Sequence, residues 1–351
     1  MSTPNPMVTP PGPIPEVSKT TISIAGLPVD VYGLKELSPA AKAVSCLWLH
    51  HGRLRMKEDM APTASLALSA WHRTSASSTR GLIAVAFDQR NHGSRKINDL
   101  NNQAWRQGNP THAQDMFGTV NAMVVDTSLL LDALEGYIFG NGDFAADGGK
   151  LRAIDQHLAL GVSLGGHSVW QTLFAEPRVT AGVVVIGCPD YMTLMTDRAR
   201  LSKRDTFSVA DNGAGFLGSR DFPLALVGAC KKYDPKGILF GTGQIAPQQP
   251  SDEEKARLRS ILDPRIRGKK FQLLSGGKDK LVPYAKGEPF LNFFKAAVET
   301  WYEDGGVSVE DIIYPEAGHE FSPRMMQDAV RFIVDVVDGA DKGKSAASAK
   351  I

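Results

Sequence analysis

The chemistry this sequence can support converges on one serine. Gly161-Val162-Ser163-Leu164-Gly165 matches G-x-S-x-G, a pattern in which a sharp strand-to-helix turn exposes a strained serine hydroxyl. In a chain with 34 glycines the pattern alone says little. Its setting says more, because the apolar run HLALGV precedes it and a helical pattern opens near Gly166. A lone serine is a poor nucleophile; it needs a base, and the base needs an orienting acid. Both are supplied past apolar runs further along: Asp279 in SGGKD after FQLL, and His319 in PEAGH after DIIY. The chain order Ser, Asp, His is the one such an elbow expects. Glu316 and Asp190 are rival acids, and Asp190 also follows a strand pattern. His157 and His167 read as structural, and His72 and His112 lie in no motif.

A tetrahedral intermediate also needs backbone N–H donors for its oxyanion. The amide of Leu164, directly after the serine, is one candidate. The other belongs to the loop after VSCLWL, where His51-Gly52 lets the chain turn and nominates Arg53, with Leu54 second. Arg53, Arg55 and Lys57 stand close together in sequence and read either as a solvated basic face or as a seat for a substrate carboxylate.

The elements that must position these residues alternate. Runs 44–49, 81–87, 157–162, 181–186, 271–274 and 311–314 read as strands, and 61–71, 125–134, 168–174, 289–302 and 325–337 as helices. A small antiparallel pair, 21–24 with 29–32, precedes them around Gly-Leu-Pro. This is an α/β architecture: a mostly parallel sheet with helices on both faces, binding ligands beyond the strands' carboxyl ends. Residues 98–118 read as a long polar loop. The block 190–267 breaks the alternation and is expected as an inserted lid, with the core in 21–189 and 268–340. Residues 1–20 are expected as a flexible proline-rich arm and 341–351 as a flexible tail.

With those motifs placed, the chain resembles the α/β-hydrolase fold serine hydrolases, the esterase, lipase and peptidase superfamily, from about Thr21 to Val337. Five ordered features carry the likeness: His51-Gly52; Asp88, Arg90, His92 and Gly93; G-x-S-x-G-G; Gly276 with Asp279; and Gly318-His319. The second resembles the family's D-x-R-G-x-G-x-S loop with Asn91 where glycine is usual, which leaves the local turn open and gives Asp88 and His92 a structural role. The resemblance implies Ser163 as nucleophile, Asp279 as acid and His319 as base, with no metal or organic cofactor. A serine at the elbow excludes the family's aspartate-nucleophile branches. Ester or thioester hydrolysis through an acyl-enzyme leads; a peptidase, a carbon–carbon bond hydrolase, an acyltransferase or a non-catalytic binding protein would use the same frame.

Composition agrees with a folded globular chain. Hydrophobic residues make up 42% and charged residues 22%, enough for a sizeable core. A net charge of +1 gives no pull toward nucleic acid or an anionic membrane. No unbroken apolar run of about 18 residues occurs, so no stable membrane insertion is expected. Cys46, Cys188 and Cys230 are too scattered for a disulfide framework or a zinc site. The N-terminal stretch lacks the pattern of a secretory signal. The sequence closes on Ala349-Lys350-Ile351, which resembles a peroxisomal S-K-L tripeptide, so the expected place is the cytoplasm or the peroxisomal matrix, with an import receptor as a partner beside a small acyl substrate.

Overall fold

The first hairpin shows local sequence setting geometry. Strand β1 (Lys19–Ile24) pairs antiparallel with β2 (Leu27–Tyr32), Ile24 opposite Leu27. Only Ala25 and Gly26 connect them, at φ 49° and 80°. Two successive positive φ values give the primed turn whose twist suits a hairpin. The turn therefore falls earlier than the expected Gly-Leu-Pro, and Leu27 and Pro28 are strand residues.

The computed structural model describes residues 5–7, 12–140 and 152–348. After the hairpin come β3 (Ala43–His50), α1 (Ala61–His72), β4 (Arg80–Phe87), α2 (His112–Phe139), β5 (Ala153–Val162), α3 (Leu164–Ala175) and β6 (Val179–Val185). Four helices follow: α4 (Tyr191–Leu201), α5 (Leu224–Tyr233), α6 (Pro235–Phe240) and α7 (Asp252–Ile266). The chain then runs through β7 (Lys270–Gly276), α8 (Tyr284–Glu299), β8 (Ser308–Tyr314) and α9 (Pro323–Ser348). One eight-stranded sheet results, in the order β1-β2-β4-β3-β5-β6-β7-β8. β2 meets β4 antiparallel, and every pairing from β4 to β8 is parallel. The expected α/β class holds.

The central strands are near-continuous apolar runs because helices cover both faces. On one face Met123 and Leu130 of α2, Trp170 of α3, Leu258 of α7 and Phe290 of α8 form one cluster. On the other, Leu68 and Trp71 of α1 pack with Met325 and Ile333 of α9.

Two helices start well before their expected positions. The helix expected at 125–134 begins at His112 and takes in the end of the stretch read as a polar loop. Asn109 makes that start possible, accepting from the Thr111 amide at 2.9 Å and donating to Asp115 at 3.0 Å. By length and composition α2 is also apolar enough to cross a membrane, which a search for unbroken apolar runs does not register. However, 56% of that stretch is buried within the protein, as in a core helix. The helix expected from Pro289 starts at Tyr284, with Pro289 inside it.

Within the block 190–267, α7 buries Leu258, Leu262 and Ile266 against the sheet-side cluster of Trp170 and Phe271. It is thus a crossover helix of the core. Helices α4 and α5 belong to a separate cluster with Trp105, Phe117 and Leu164. At the far end α9 continues to Ser348, through most of the segment expected as a tail; Ala349-Lys350-Ile351 lies outside the described residues. Part of the proline-rich arm is docked: Met7 bridges Phe321, whose amide donates to the Pro6 carbonyl at 2.6 Å.

Candidate active site

Ser163 caps the N-terminus of α3 at φ 57°, ψ −111°, a conformation that side chains disfavour. Its amide donates to the Val185 carbonyl at 2.9 Å, and its carbonyl accepts from His167 at 3.1 Å. The turn is so tight that a Cβ on Gly161 would lie 2.1 Å from the Gly165 carbonyl oxygen. That contact explains the first glycine of the motif.

The two partners arrive from neighbouring strand ends. Ser163 Oγ lies 2.8 Å from His319 Nε2, and His319 Nδ1 lies 2.8 Å from Asp279 Oδ2. This network suits the tautomer with its proton on Nδ1, donated to Asp279. The other Asp279 oxygen accepts the amides of Leu281 at 2.8 Å and Val282 at 2.9 Å. Burial pushes the Asp279 pKa up, but the His319 hydrogen bond and charge and the two amides outweigh it and hold the carboxyl below its usual range. Asp279 is therefore a permanent anion at neutral pH, fixed on both oxygens.

The rival acids are committed elsewhere. Asp190 caps α4, accepting the Thr193 amide at 3.0 Å and its hydroxyl at 2.7 Å. Glu316 is exposed and pairs with Lys278. His167 accepts the Cys188 amide at 3.0 Å, and its burial carries the pKa down to about 4. His157 accepts from the Trp48 indole at 3.2 Å.

The Asp88 loop supports the serine's surroundings without joining them. Asp88 accepts from the amides of Lys57 and Ser94 at 2.9 and 2.8 Å. Asn91 takes the left-handed conformation, φ 60°, in which a glycine would be usual. Its side chain holds the turn by accepting from the Ile97 and Asn98 amides and donating to the Asn98 carbonyl.

Leu164 is the first residue of α3, so its N–H has no partner within the helix. Leu164 and Arg53 both border a cavity of about 470 Å³ with Ser163 and His319. Of the three adjacent cations, Arg53 and Lys57 part ways. The Arg53 guanidinium stays in the cavity wall and donates to the Asn102 carbonyl at 2.7 Å. Lys57 turns away and pairs at 2.6 Å with Asp30, which is wholly buried.

Among the apolar residues of the block 190–267, Leu194 and Leu201 border the cavity, while Met192, Met195, Phe216, Phe222 and Leu226 pack among themselves and with Trp105. Leu224 is exposed. The cavity wall also contains Arg198 from α4, Met116 from α2 and Pro6 from the arm. Sequence reasoning missed these. Arg198 sits in an ordinary helical pattern, and no local signal says which face of α4 looks toward Ser163.

By sequence, no known protein family and no curated protein matches this chain. Solved structures do. Protein TT1662 from Thermus thermophilus superposes with a TM-score of 0.50 at 16% identity, covering 92% of this chain and 98% of that one. The esterase Pf2001 of Pyrococcus furiosus gives 0.45 at 13% identity over 95% and 98%. A cold-adapted esterase from an Arctic intertidal metagenomic library gives 0.44 at 14% over 90% and 92%. With its sheet order, its parallel β4–β8 ladder and a serine turn at the end of β5, this chain has the α/β-hydrolase fold.

Proposed function

We propose that this protein is a serine hydrolase that cleaves a carboxylic ester or thioester through an acyl-enzyme. The observation that carries the reading is the pair of 2.8 Å contacts linking Ser163, His319 and Asp279 at the wall of one cavity. Ser163 Oγ attacks the substrate carbonyl as His319 Nε2 takes its proton. The oxyanion is received by the backbone amides of Leu164 and Arg53. Collapse of the intermediate expels the leaving alcohol or thiol, which takes the proton from His319. Water then attacks the acyl-enzyme, gives its proton to His319, and the acid leaves as Ser163 regains its hydrogen. Asp279 stabilises the imidazolium throughout and stays ionised. The residues 191–233 close over the cavity as a lid and select the acyl group.

Intact mass after treatment with a fluorophosphonate tests this reading. One adduct on the native protein and none on Ser163→Ala is expected. No adduct on either would replace the hydrolase with a binding protein on this fold. Adding competing alcohols and following product partition separates hydrolysis from acyl transfer.

A further inference from the structure

We propose that the cavity at Ser163 takes a substrate bearing a carboxylate, which the guanidinium of Arg198 receives with Arg53 beside it. The proposal rests on the hydrolase reading and names the substrate class for the same site.

Arg198 projects from α4 into the cavity wall. Its guanidinium donates to the Leu281 carbonyl at 3.0 Å, and faces His112 Nε2 at 3.3 Å and Met116 Sδ at 3.1 Å. All three are neutral acceptors, against five N–H donors on a guanidinium. The neighbouring acids are otherwise engaged. Asp197 holds Arg200 at 2.8 Å and Lys286 at 3.1 Å, and Asp279 holds His319. Among the described residues, no carboxylate lies within ion-pair distance of Arg198.

Arg198 is partly exposed at the cavity wall and feels Asp279 and Asp197 only from beyond contact distance, so a guanidinium held there by neutral acceptors points to a ligand that supplies the contacting charge. Arg53 makes the case stronger, since two guanidiniums close enough to repel one another share this wall. Burial, and then the charge of Arg198, carry the Arg53 pKa down to about 10. A carboxylate matches a guanidinium in shape and accepts two parallel hydrogen bonds. The same wall offers Leu194, Leu201 and Met116 for a short apolar stem between that carboxylate and the scissile carbonyl.

The carboxylate can sit on the acyl part or on the leaving group, and three esters separate these. They are 4-nitrophenyl butyrate, the mono-4-nitrophenyl ester of glutaric acid, and 3-carboxy-4-nitrophenyl butyrate. The native protein is expected to favour one carboxylated ester over the neutral one at least tenfold in kcat/KM at low salt. In Arg198→Met that ratio should fall by about tenfold or more, whatever the absolute rates, and Arg198→Lys should recover part of it. The ratio is the decisive readout. Arg198 also holds the loop of Asp279 through Leu281, and a merely structural role would lower all three esters together. Neutral ester turned over as well as both carboxylated esters by the native protein overturns the proposal without any variant, as does a ratio unmoved in Arg198→Met. If fluorophosphonate labels Ser163 in those samples, the hydrolase reading survives; if it does not, both fall.

Discussion

The Cα of Gly165 faces the His50 carbonyl oxygen so closely that a Cβ built there would lie 2.0 Å from it. His50 ends β3, and Gly165 is the second residue of α3, so the second glycine of the motif is where the serine turn meets the strand that leads into His51-Gly52. The contact is backbone to backbone, and no side-chain rotation relieves it. Gly165→Ala should therefore destabilise by about 3 kcal/mol, although alanine is the better helix former, because the strand or the helix must move. Chemical denaturation measures this; a loss under about 0.5 kcal/mol would show that the junction yields.

The serine itself stores strain. At φ 57° and ψ −111° any residue with a Cβ is disfavoured, at a cost of about 1–3 kcal/mol. Ser163→Ala keeps the Cβ and the strain, whereas Ser163→Gly relieves it and gives back about 0.5–1 kcal/mol in chain entropy. Both variants should be inactive, with Ser163→Gly more stable than Ser163→Ala by about 1 kcal/mol. Equal stabilities would mean that the strain is no larger than the roughly 0.5–1 kcal/mol that glycine gives back.

Asp279→Asn tests the orienting acid. The amide cannot accept the Nδ1 proton as an anion does and favours the other histidine tautomer, so kcat on an activated ester should fall by about 10⁴. Asp190→Asn should leave the rate near that of the native protein, because asparagine caps a helix about as well as aspartate. A loss below tenfold for Asp279→Asn, with a large loss for Asp190→Asn, would transfer the role to Asp190.

These residues are legible in the sequence because each follows a point where a strand pattern breaks off. An apolar run ending in Gly-rich sequence marks the carboxyl edge of a parallel sheet, and Ser163, Asp279 and His319 all stand at such breaks. Arg198, Met116 and Pro6 carry no such mark. Their approach to the serine depends on how α4, α2 and the arm fold back over the strand ends, a matter of tertiary packing. The start of α2 was hidden for a related reason. Its first turns, HAQDMFG, look polar, yet Ala113, Met116 and Phe117 face the cluster of Tyr191 and Phe222, so burial rather than local pattern makes them helical.

Buried histidines should set the protein's acid limit. His50 is buried against the sheet, His157 accepts from Trp48, and His167 accepts from Cys188. Burial carries their pKa values down to about 3, 4 and 4 respectively, from 6.5 in the unfolded chain. With the folded pKa depressed, the unfolded state binds more protons between about pH 6.5 and pH 4, so the stability present above 6.5 is lost as pH falls through that window. Each histidine contributes on the order of 1.4 kcal/mol per pH unit there. Denaturation midpoints should hold between pH 8 and 7 and drop steeply from pH 6 to 4.5. In His157→Gln, whose amide oxygen can still accept from Trp48, the drop should be shallower by one histidine's share. A flat midpoint from pH 7 to 5, or an unchanged slope in His157→Gln, would show that these rings do not take up their protons on unfolding.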